Sequence, residues 1–265
     1  MSWKTLKELN DEWQDIEKDW YNVYQWGNLQ RKSYSDNIAD IIVNDFHLIN
    51  LVRKDLRQNN FKIDDHCGQT QLSTSITQFT EKRFFRALFN FANEQPLEHI
   101  GIVIDYETPL KASKGAKHGD IDLLARDNNN LFVIEAKKHN SSESILKAIL
   151  EAYVYSKLVH SVKERFYSDF GFTSELILTP TILTFKSATS GEQLLSINDY
   201  PNIKRLLNNL NKDLKKDGLN KCRFFIIANE LRDIKTSLEA RHFDGKGDLI
   251  IFKKGFTPDL KEIKI

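Results

Sequence analysis

The sequence predicts an α/β protein with a mixed central sheet, and three observations indicate it. Apolar residues recur at helical spacing in several separate stretches. Three strand candidates follow one another between residues 100 and 138. Two later apolar runs of strand length alternate with helical stretches. The predicted order is therefore helix, three strands, helix, strand, helix, strand.

The composition is typical of one ordinary globular protein. Of its 265 residues, 40% are hydrophobic and 28% are charged, and 38 basic residues nearly balance 37 acidic ones. A surface that meets a polyanion must therefore be a local patch. Two cysteines, Cys67 and Cys222, cannot form a disulfide framework and fit a reducing cytoplasm. No segment approaches the ~20 apolar residues of a membrane span, so we expect a cytoplasmic protein without a membrane partner.

Residues 1–75 are predicted to form an N-terminal helical region. A first amphipathic helix is indicated by an apolar stripe, and a second by a similar stripe over residues 38–49. The stripe of the first helix consists of Leu6, Leu9, Trp13, Ile16, Trp20 and Val23. Residues 58–76 are polar and aperiodic, which is typical of a connection. We therefore place the domain boundary there and assign residues 76–265 to a second domain.

The second domain begins with a helix from Thr77 that ends before Pro96. Strands are predicted over residues 100–106, 120–126, 131–138, 176–185 and 224–228, and helices over residues 142–159 and 203–214. From residue 231 onwards the pattern is weak apart from one strand candidate over residues 249–253.

The second and third strands predict a hairpin that gathers charged residues. Their turn runs from Asp127 to Asn130. A regular antiparallel register across this turn pairs Asp122 with Glu135 and Asp120 with Lys137. The intervening residues fall on the other face of the hairpin and are all apolar. These apolar pairs are Ile121 with Ala136, Leu123 with Ile134, and Ala125 with Phe132.

Opposed carboxylates at Asp122 and Glu135 would repel each other unless a cation lies between them. Oxygen ligands of this kind suit Mg²⁺, which binds one or two carboxylates together with water and substrate phosphate. Lys137 shares their face and could hold the attacking water or offset phosphate charge. Because this face is polar, we expect Glu135 and Lys137 to contribute little to the core. The alternative is a solvated sheet face that carries an exposed charge pair.

Two short motifs, Gly119-Asp120-Ile121-Asp122 and Glu135-Ala136-Lys137, resemble those of the PD-(D/E)xK nuclease superfamily, which includes restriction endonucleases and RecB-like and resolvase-like nucleases. The resemblance spans roughly residues 77–230 and implies a restriction-endonuclease-like αβββαβ core. It implies that Asp122, Glu135 and the carbonyl of Ala136 bind metal, with Asp120 as an auxiliary ligand. Lys137 would be the catalytic lysine.

The same resemblance implies further site residues. Glu81 stands where a glutamate of the first core helix would contribute, although it could equally favour the helix dipole. Some RecB-like members place Gln and Tyr four residues apart on the helix after the lysine strand, to orient the site and contact DNA. Glu151 and Tyr155 meet that spacing here, with Glu in place of Gln.

Basic residues precede the Asp120 strand and could bind phosphates on the approach to the metal. They are Lys111, Lys114, Lys117 and His118. The alternative is a flexible, solvated loop. A second basic region over residues 204–223 is more typical of a soluble helix surface.

The resemblance implies a Mg²⁺-dependent hydrolase that cleaves DNA, with Mn²⁺ able to substitute. We expect an endonuclease in restriction or antiviral defence, with other defence-system subunits as partners. The alternative is a catalytically lapsed module that binds nucleic acid or protein. The apolar stripe of the first helix predicts a homodimer through the N-terminal helices, unless the second helix covers that stripe within one chain.

Overall fold

The computed structural model describes residues 35–44, 46, 56–63, 69–70, 81–110, 119–243 and 247–265. The helix predicted over residues 6–23 therefore lies outside the described residues. Within the described part of the chain, no helix is long and apolar enough to cross a membrane.

The elements appear in the predicted order. The helices are α1 (Ser35–Asn44), α2 (Glu81–Glu94), α3 (Ile145–Ser161), α4 (Lys163–Phe170), α5 (Thr189–Leu195), α6 (Pro201–Lys216) and α7 (Leu231–Ser237). The strands are β1 (Gln69–Thr70), β2 (Ile102–Pro109), β3 (Asp120–Asp127), β4 (Asn130–Lys137), β5 (Ile177–Phe185), β6 (Arg223–Ile227), β7 (Leu238–Phe243), β8 (Gly247–Phe252) and β9 (Leu260–Glu262).

Six strands form one mixed sheet in the order β2-β3-β4-β5-β6-β9. β2, β3 and β4 are antiparallel neighbours, and β4, β5 and β6 are parallel. β9 closes the far edge in an antiparallel direction. The α/β fold with a mixed central sheet is therefore confirmed. A separate three-stranded sheet has the order β1-β8-β7.

Both faces of the six-stranded sheet are covered. α3 packs on β4 and β5, and α6 and α1 extend that helical layer. α2 packs against β2 on the other face and also contacts β8 of the small sheet. Two apolar clusters result, one on each side of the sheet. A central strand such as β4 is therefore buried from both sides.

The described part of the N-terminal region packs into the same core. Ile38 and Ile42 of α1 are buried in the cluster that contains α3 and α6. Asp36 accepts hydrogen bonds at 2.9 Å from the backbone N–H groups of Asn202 and Ile203, which open α6. β1, inside the predicted connection, pairs with β8. These contacts join α1 and β1 to the rest of the described chain.

Sequence patterning missed several short elements after residue 160. Helices α4, α5 and α7 and strands β7 and β9 have no counterpart among the predictions. Each helix has eight residues or fewer and each strand six or fewer, so too few residues are present to establish a hydrophobic period.

Candidate functional site

The predicted hairpin register is confirmed next to the turn and ends before the charged residues. Leu123 pairs with Ile134, and Ala125 pairs with Phe132. Asn128 in the turn has a φ of 49°, a conformation that asparagine tolerates well. The ladder stops at Leu123. The predicted pairings of Asp122 with Glu135 and of Asp120 with Lys137 are therefore not part of it.

The ladder ends because β3 and β4 diverge toward different neighbours. β3 stays paired with β2 as far as Asp120, opposite Pro109. β4 stays paired with β5 as far as Lys137, opposite Thr184. At the fork, a carboxylate oxygen of Asp122 accepts a hydrogen bond at 2.8 Å from the backbone N–H of Ala136. A side chain thus replaces a ladder bond and fixes the Asp122 carboxylate beside β4.

The predicted apolar face is interrupted at the same place. Leu123 and Ala136 belong to the cluster beside α2, as expected. Ile121, however, packs in the cluster beside α3, so the predicted contact between Ile121 and Ala136 is wrong. The predicted facing pairs hold only while the ladder is regular, and the divergence of the strands reorients the residues beyond it.

The charged residues of β4 are buried, contrary to the sequence-based expectation. Glu135 and Lys137 are each 5% exposed. They alternate with Ala136 and so face α3, which covers this side of the central strand. The alternative of an exposed, solvated charge pair is therefore wrong. The expectation that both side chains contribute little to the core is wrong for the same reason.

The Lys137 ammonium is surrounded by carboxylates. Its Nζ lies 2.6 Å from Glu135 Oε1, 2.7 Å from Glu151 Oε2 and 2.5 Å from Glu143 Oε2. An ammonium group has three protons, so these contacts can use all of them. Glu143 also forms an ion pair with Lys147. We call this group, with Asp122, the Lys137 cluster.

α3 supplies its share of the Lys137 cluster from a single stripe. Lys147, Glu151 and Tyr155 are each four residues apart on α3 and share one face of the helix, and Glu143 lies four residues before Lys147, just ahead of the helix cap. Ser144 caps the helix by accepting a hydrogen bond from the Lys147 N–H. Glu143 and Lys147 were not predicted as site residues. Their signal in the sequence is the charged stripe on a helix whose other residues are almost all apolar.

The Lys137 cluster and its neighbour Lys147 contain more carboxyl groups than ammonium groups. Burial, together with the nearby Asp122 charge, raises the pKa of Glu135 to about 8. Burial and the Glu135 charge likewise raise the pKa of Glu151 to about 8. Burial alone would lower the pKa of Lys137, but Glu135, Glu151 and Glu143 outweigh it and raise that pKa. Lys137 therefore remains an ammonium group.

Tyr155 of α3 is buried, and its hydroxyl lies beside Gly119, the residue before β3. A Cβ placed on Gly119 would lie too close to the Tyr155 hydroxyl oxygen, so a larger residue at position 119 would collide with it. Only 3% of Tyr155 is exposed. The structure therefore places this residue under the Asp120 strand, where it supports the backbone, and does not present its ring on the surface.

The other predicted site residues are placed less completely. Asp120 is the first residue of β3 and is half-buried. Glu81 is the first residue of α2, and its side chain lies outside the described residues. The same holds for the predicted phosphate-binding loop of Lys111, Lys114, Lys117 and His118.

The donor chemistry at the fork fits a hard divalent cation. Asp122 and Glu135 offer carboxylate oxygens, the ligands that such a cation prefers, and burial together with the Asp122 charge raises the pKa of Glu135. Within the residues that the structure describes, no group of three or more His, Cys, Asp or Glu side chains is arranged to hold a metal ion. The Lys137 ammonium is the cation that contacts Glu135 here.

Comparison with known proteins gives no family assignment. No protein-family model matches the chain, and no curated protein or solved structure matches it either.

Proposed function

We propose that this protein is a Mg²⁺-dependent nuclease that hydrolyses DNA phosphodiester bonds. One observation carries the proposal: the Asp122 and Glu135 carboxylates and the buried Lys137 ammonium meet where β3 and β4 diverge. The restriction-endonuclease-like core is part of the proposal. It is supported by the order α2, β2, β3, β4, α3, β5 and by the change from antiparallel to parallel pairing at β4.

The proposed mechanism assigns each group a role. Asp122, Glu135 and the carbonyl of Ala136 would hold Mg²⁺, which supplies Lewis acidity toward the phosphoryl group when bound. Lys137 would donate a hydrogen bond to the attacking water or to a phosphoryl oxygen and stabilise the developing negative charge. Asp122 is oriented by the Ala136 N–H.

Glu151 has a positioning role in this proposal. It faces Lys137 from α3 and contacts the side of Nζ that Glu135 leaves open. A glutamine at this position could accept the same hydrogen bond but would carry no charge. Because the pKa of Glu151 is about 8, a glutamate here adds negative charge beside Lys137 only at higher pH, where it favours the ammonium form of Lys137. The presence of glutamate in place of glutamine at position 151 therefore has a physical consequence for Lys137.

A catalytically lapsed module for nucleic-acid or protein binding is the second proposal. The observation in its favour is that three carboxylates engage Lys137 Nζ, as in a closed structural ion-pair network. The complete Asp122, Glu135 and Lys137 set favours the enzyme. A lapsed enzyme could replace these buried charges with apolar residues at little cost in stability.

The test is a plasmid-nicking assay on the full chain with Mg²⁺, with Mn²⁺ and with chelator. We expect metal-dependent nicking by the wild type and none by Asp122→Asn. Asp217→Asn is the matched control, because Asp217 contacts Lys157 of α3 but lies outside the Lys137 cluster. If none of the three proteins nicks the plasmid in any of these solutions but DNA binding is retained, the protein is the lapsed module instead.

The biological setting follows the resemblance and belongs to the proposal. We propose a cytoplasmic endonuclease in restriction or anti-phage defence that acts with other subunits. A homodimer through the N-terminal helices would bring two sites to duplex DNA. Light scattering should then give a dimer for the full chain and a monomer for a chain that begins at Ser35, which keeps α1 in the core. A monomeric full chain at micromolar concentration would contradict the dimer.

A further inference from the structure

Glu143 bridges two lysines, Lys137 of β4 and Lys147 of α3. One of its oxygens lies 2.5 Å from Lys137 Nζ, and the other binds Lys147 Nζ. A single carboxylate thus presents one oxygen to each of two ammonium groups. A phosphate group also presents two anionic oxygens on one central atom, and ammonium groups are common phosphate ligands.

We propose that Lys137 and Lys147 form an oxyanion-binding site for the substrate phosphate, and that the Glu143 carboxylate occupies this site until a phosphate displaces it. The assignment of this phosphate to a nucleic-acid substrate rests on the proposed function. Lys147 thereby becomes a substrate-binding residue, and Glu143 becomes an internal competitor.

The burial of these side chains gives the site an outward opening. The Lys137 and Glu135 side chains are 5% and 7% exposed, whereas those of Lys147 and Glu143 are 13% and 23% exposed. Exposure therefore increases from the fork toward Glu143. A ligand that enters from solvent meets Glu143 and Lys147 first and reaches Lys137 last.

Glu143 can leave without disturbing α3. It precedes Ser144, the residue that caps the helix, and its own N–H donates to Ser141 Oγ at 3.3 Å. Its side chain forms no hydrogen bond that holds the helix backbone. After its departure, Lys137 keeps Glu135 and Glu151, and Lys147 keeps Glu151 Oε1 at 3.8 Å. Both lysines thus stay in place with one contact free for an anion.

The local field also favours an anion at this position. Glu143 lies at the N-terminal end of α3, a helix of 17 residues, where the helix dipole is positive. Burial would raise the pKa of Glu143, but the ammonium groups of Lys137 and Lys147 outweigh burial and lower that pKa. The position therefore suits a negatively charged group, whether the Glu143 carboxylate or a phosphate.

The probe for this site is inorganic phosphate, measured with the full chain in chelator and without DNA. Its apparent Kd can be obtained from the rise of the melting temperature with phosphate concentration. We expect Glu143→Gln to bind phosphate about threefold more tightly than the wild type, because a competing anion is removed. Lys147→Met should weaken binding about tenfold, and Lys147→Arg should restore it.

Matched controls come from the other end of α3. Lys157→Met and Asp217→Asn alter an analogous pair of an ammonium group and a carboxylate and should leave phosphate affinity unchanged. The proposal is overturned if Glu143→Gln binds phosphate no better than the wild type, or if Lys147→Met binds as well. Equal changes in the controls would also overturn it, because they would show a general response to surface charge.

This experiment separates the anion site from the nuclease proposal. Phosphate binding with the expected variant pattern, but no DNA cleavage, would support the oxyanion site and reject the nuclease. Metal-dependent cleavage without the phosphate response would support the nuclease and reject the oxyanion site.

Discussion

The two ends of helix α3 each hold a lysine among carboxylates, and the two groups differ in charge balance. The first is the Lys137 cluster. The second, which we call the Lys157 cluster, joins Lys157 to Asp213 at 2.8 Å and to Asp217. Tyr153 donates to the same Asp213 oxygen at 2.7 Å. Both clusters link α3 to a neighbouring element.

The pKa values of Glu135 and Glu151 in the Lys137 cluster and of Asp213 in the Lys157 cluster shift in opposite directions. Burial would raise the pKa of Asp213, but hydrogen bonds from Lys157 and Tyr153 outweigh it and lower that pKa. In the Lys137 cluster, burial and neighbouring acids raise the pKa of both Glu135 and Glu151. The first arrangement stabilises the folded chain. In the second arrangement burial disfavours the charged carboxylates, and perturbed pKa values of this kind cluster at functional sites.

The largest expected difference between the clusters is the effect of removing the lysine. Lys137→Met should lower the free energy of unfolding by about 3–5 kcal/mol, because it leaves buried carboxylates without their cation. It should also abolish DNA nicking. Lys157→Met, at a side chain that is 23% exposed, should cost about 1 kcal/mol and leave nicking intact. Urea denaturation and plasmid nicking measure both effects, and equal losses of stability would contradict the comparison.

A divalent cation should act on one cluster alone. If Mg²⁺ or Mn²⁺ binds only the folded chain, then a concentration of 100 Kd stabilises it by about 2.7 kcal/mol. The melting temperature should rise accordingly in the wild type and in Asp217→Asn, but not in Asp122→Asn. Differential scanning fluorimetry with metal and with chelator tests this. Identical melting temperatures for the wild type in both solutions would count against a carboxylate metal site.

The pH dependence of stability should also separate the clusters. Glu151 has a pKa of about 8 when folded and 4.5 as its ordinary value, so the folded state binds the extra proton in between. Its contribution to stability is present below pH 4.5 and is lost as the pH rises through 8. Metal-free protein should therefore lose stability from pH 5 to pH 8.

Glu151→Gln should reduce that loss by at least about 1 kcal/mol, as judged by urea denaturation at each pH. Asp213→Asn should not reduce it. The pKa of Asp213 is lowered below 3.8, so its contribution is present above that pH and is lost only in stronger acid. A pH profile of Glu151→Gln that parallels the wild type would show that Glu151 is not responsible.

The smallest expected effect tests how α3 meets β3. Gly119→Ala should cost about 1 kcal/mol, because the added Cβ collides with the Tyr155 hydroxyl. Tyr155→Phe removes that oxygen, so the double variant should recover most of the loss. Thermal denaturation of the two single variants and the double variant measures the coupling. Additive losses would show that the two residues do not meet.

The sequence by itself determined the elements whose signals are local. The turn at Asn128 and Asn129 and the alternation on either side of it set the hairpin register, since side chains repeat every two residues along a strand. The same alternation placed Glu135 and Lys137 on one face. Helical spacing located α2, α3 and α6 to within a few residues of their ends, because an apolar stripe persists over several turns.

Only the tertiary structure decided what that charged face contacts. β4 lies between β3 and β5, and α3 covers it, so Glu135 and Lys137 are buried although their alternation resembled that of a solvated face. The fork after Leu123 arises because β3 and β4 follow different neighbours, which the hairpin sequence does not encode. Glu143 and Glu151 reach Lys137 only after α3 folds back on the sheet, since long-range packing, unlike local periodicity, brings residues distant along the chain together.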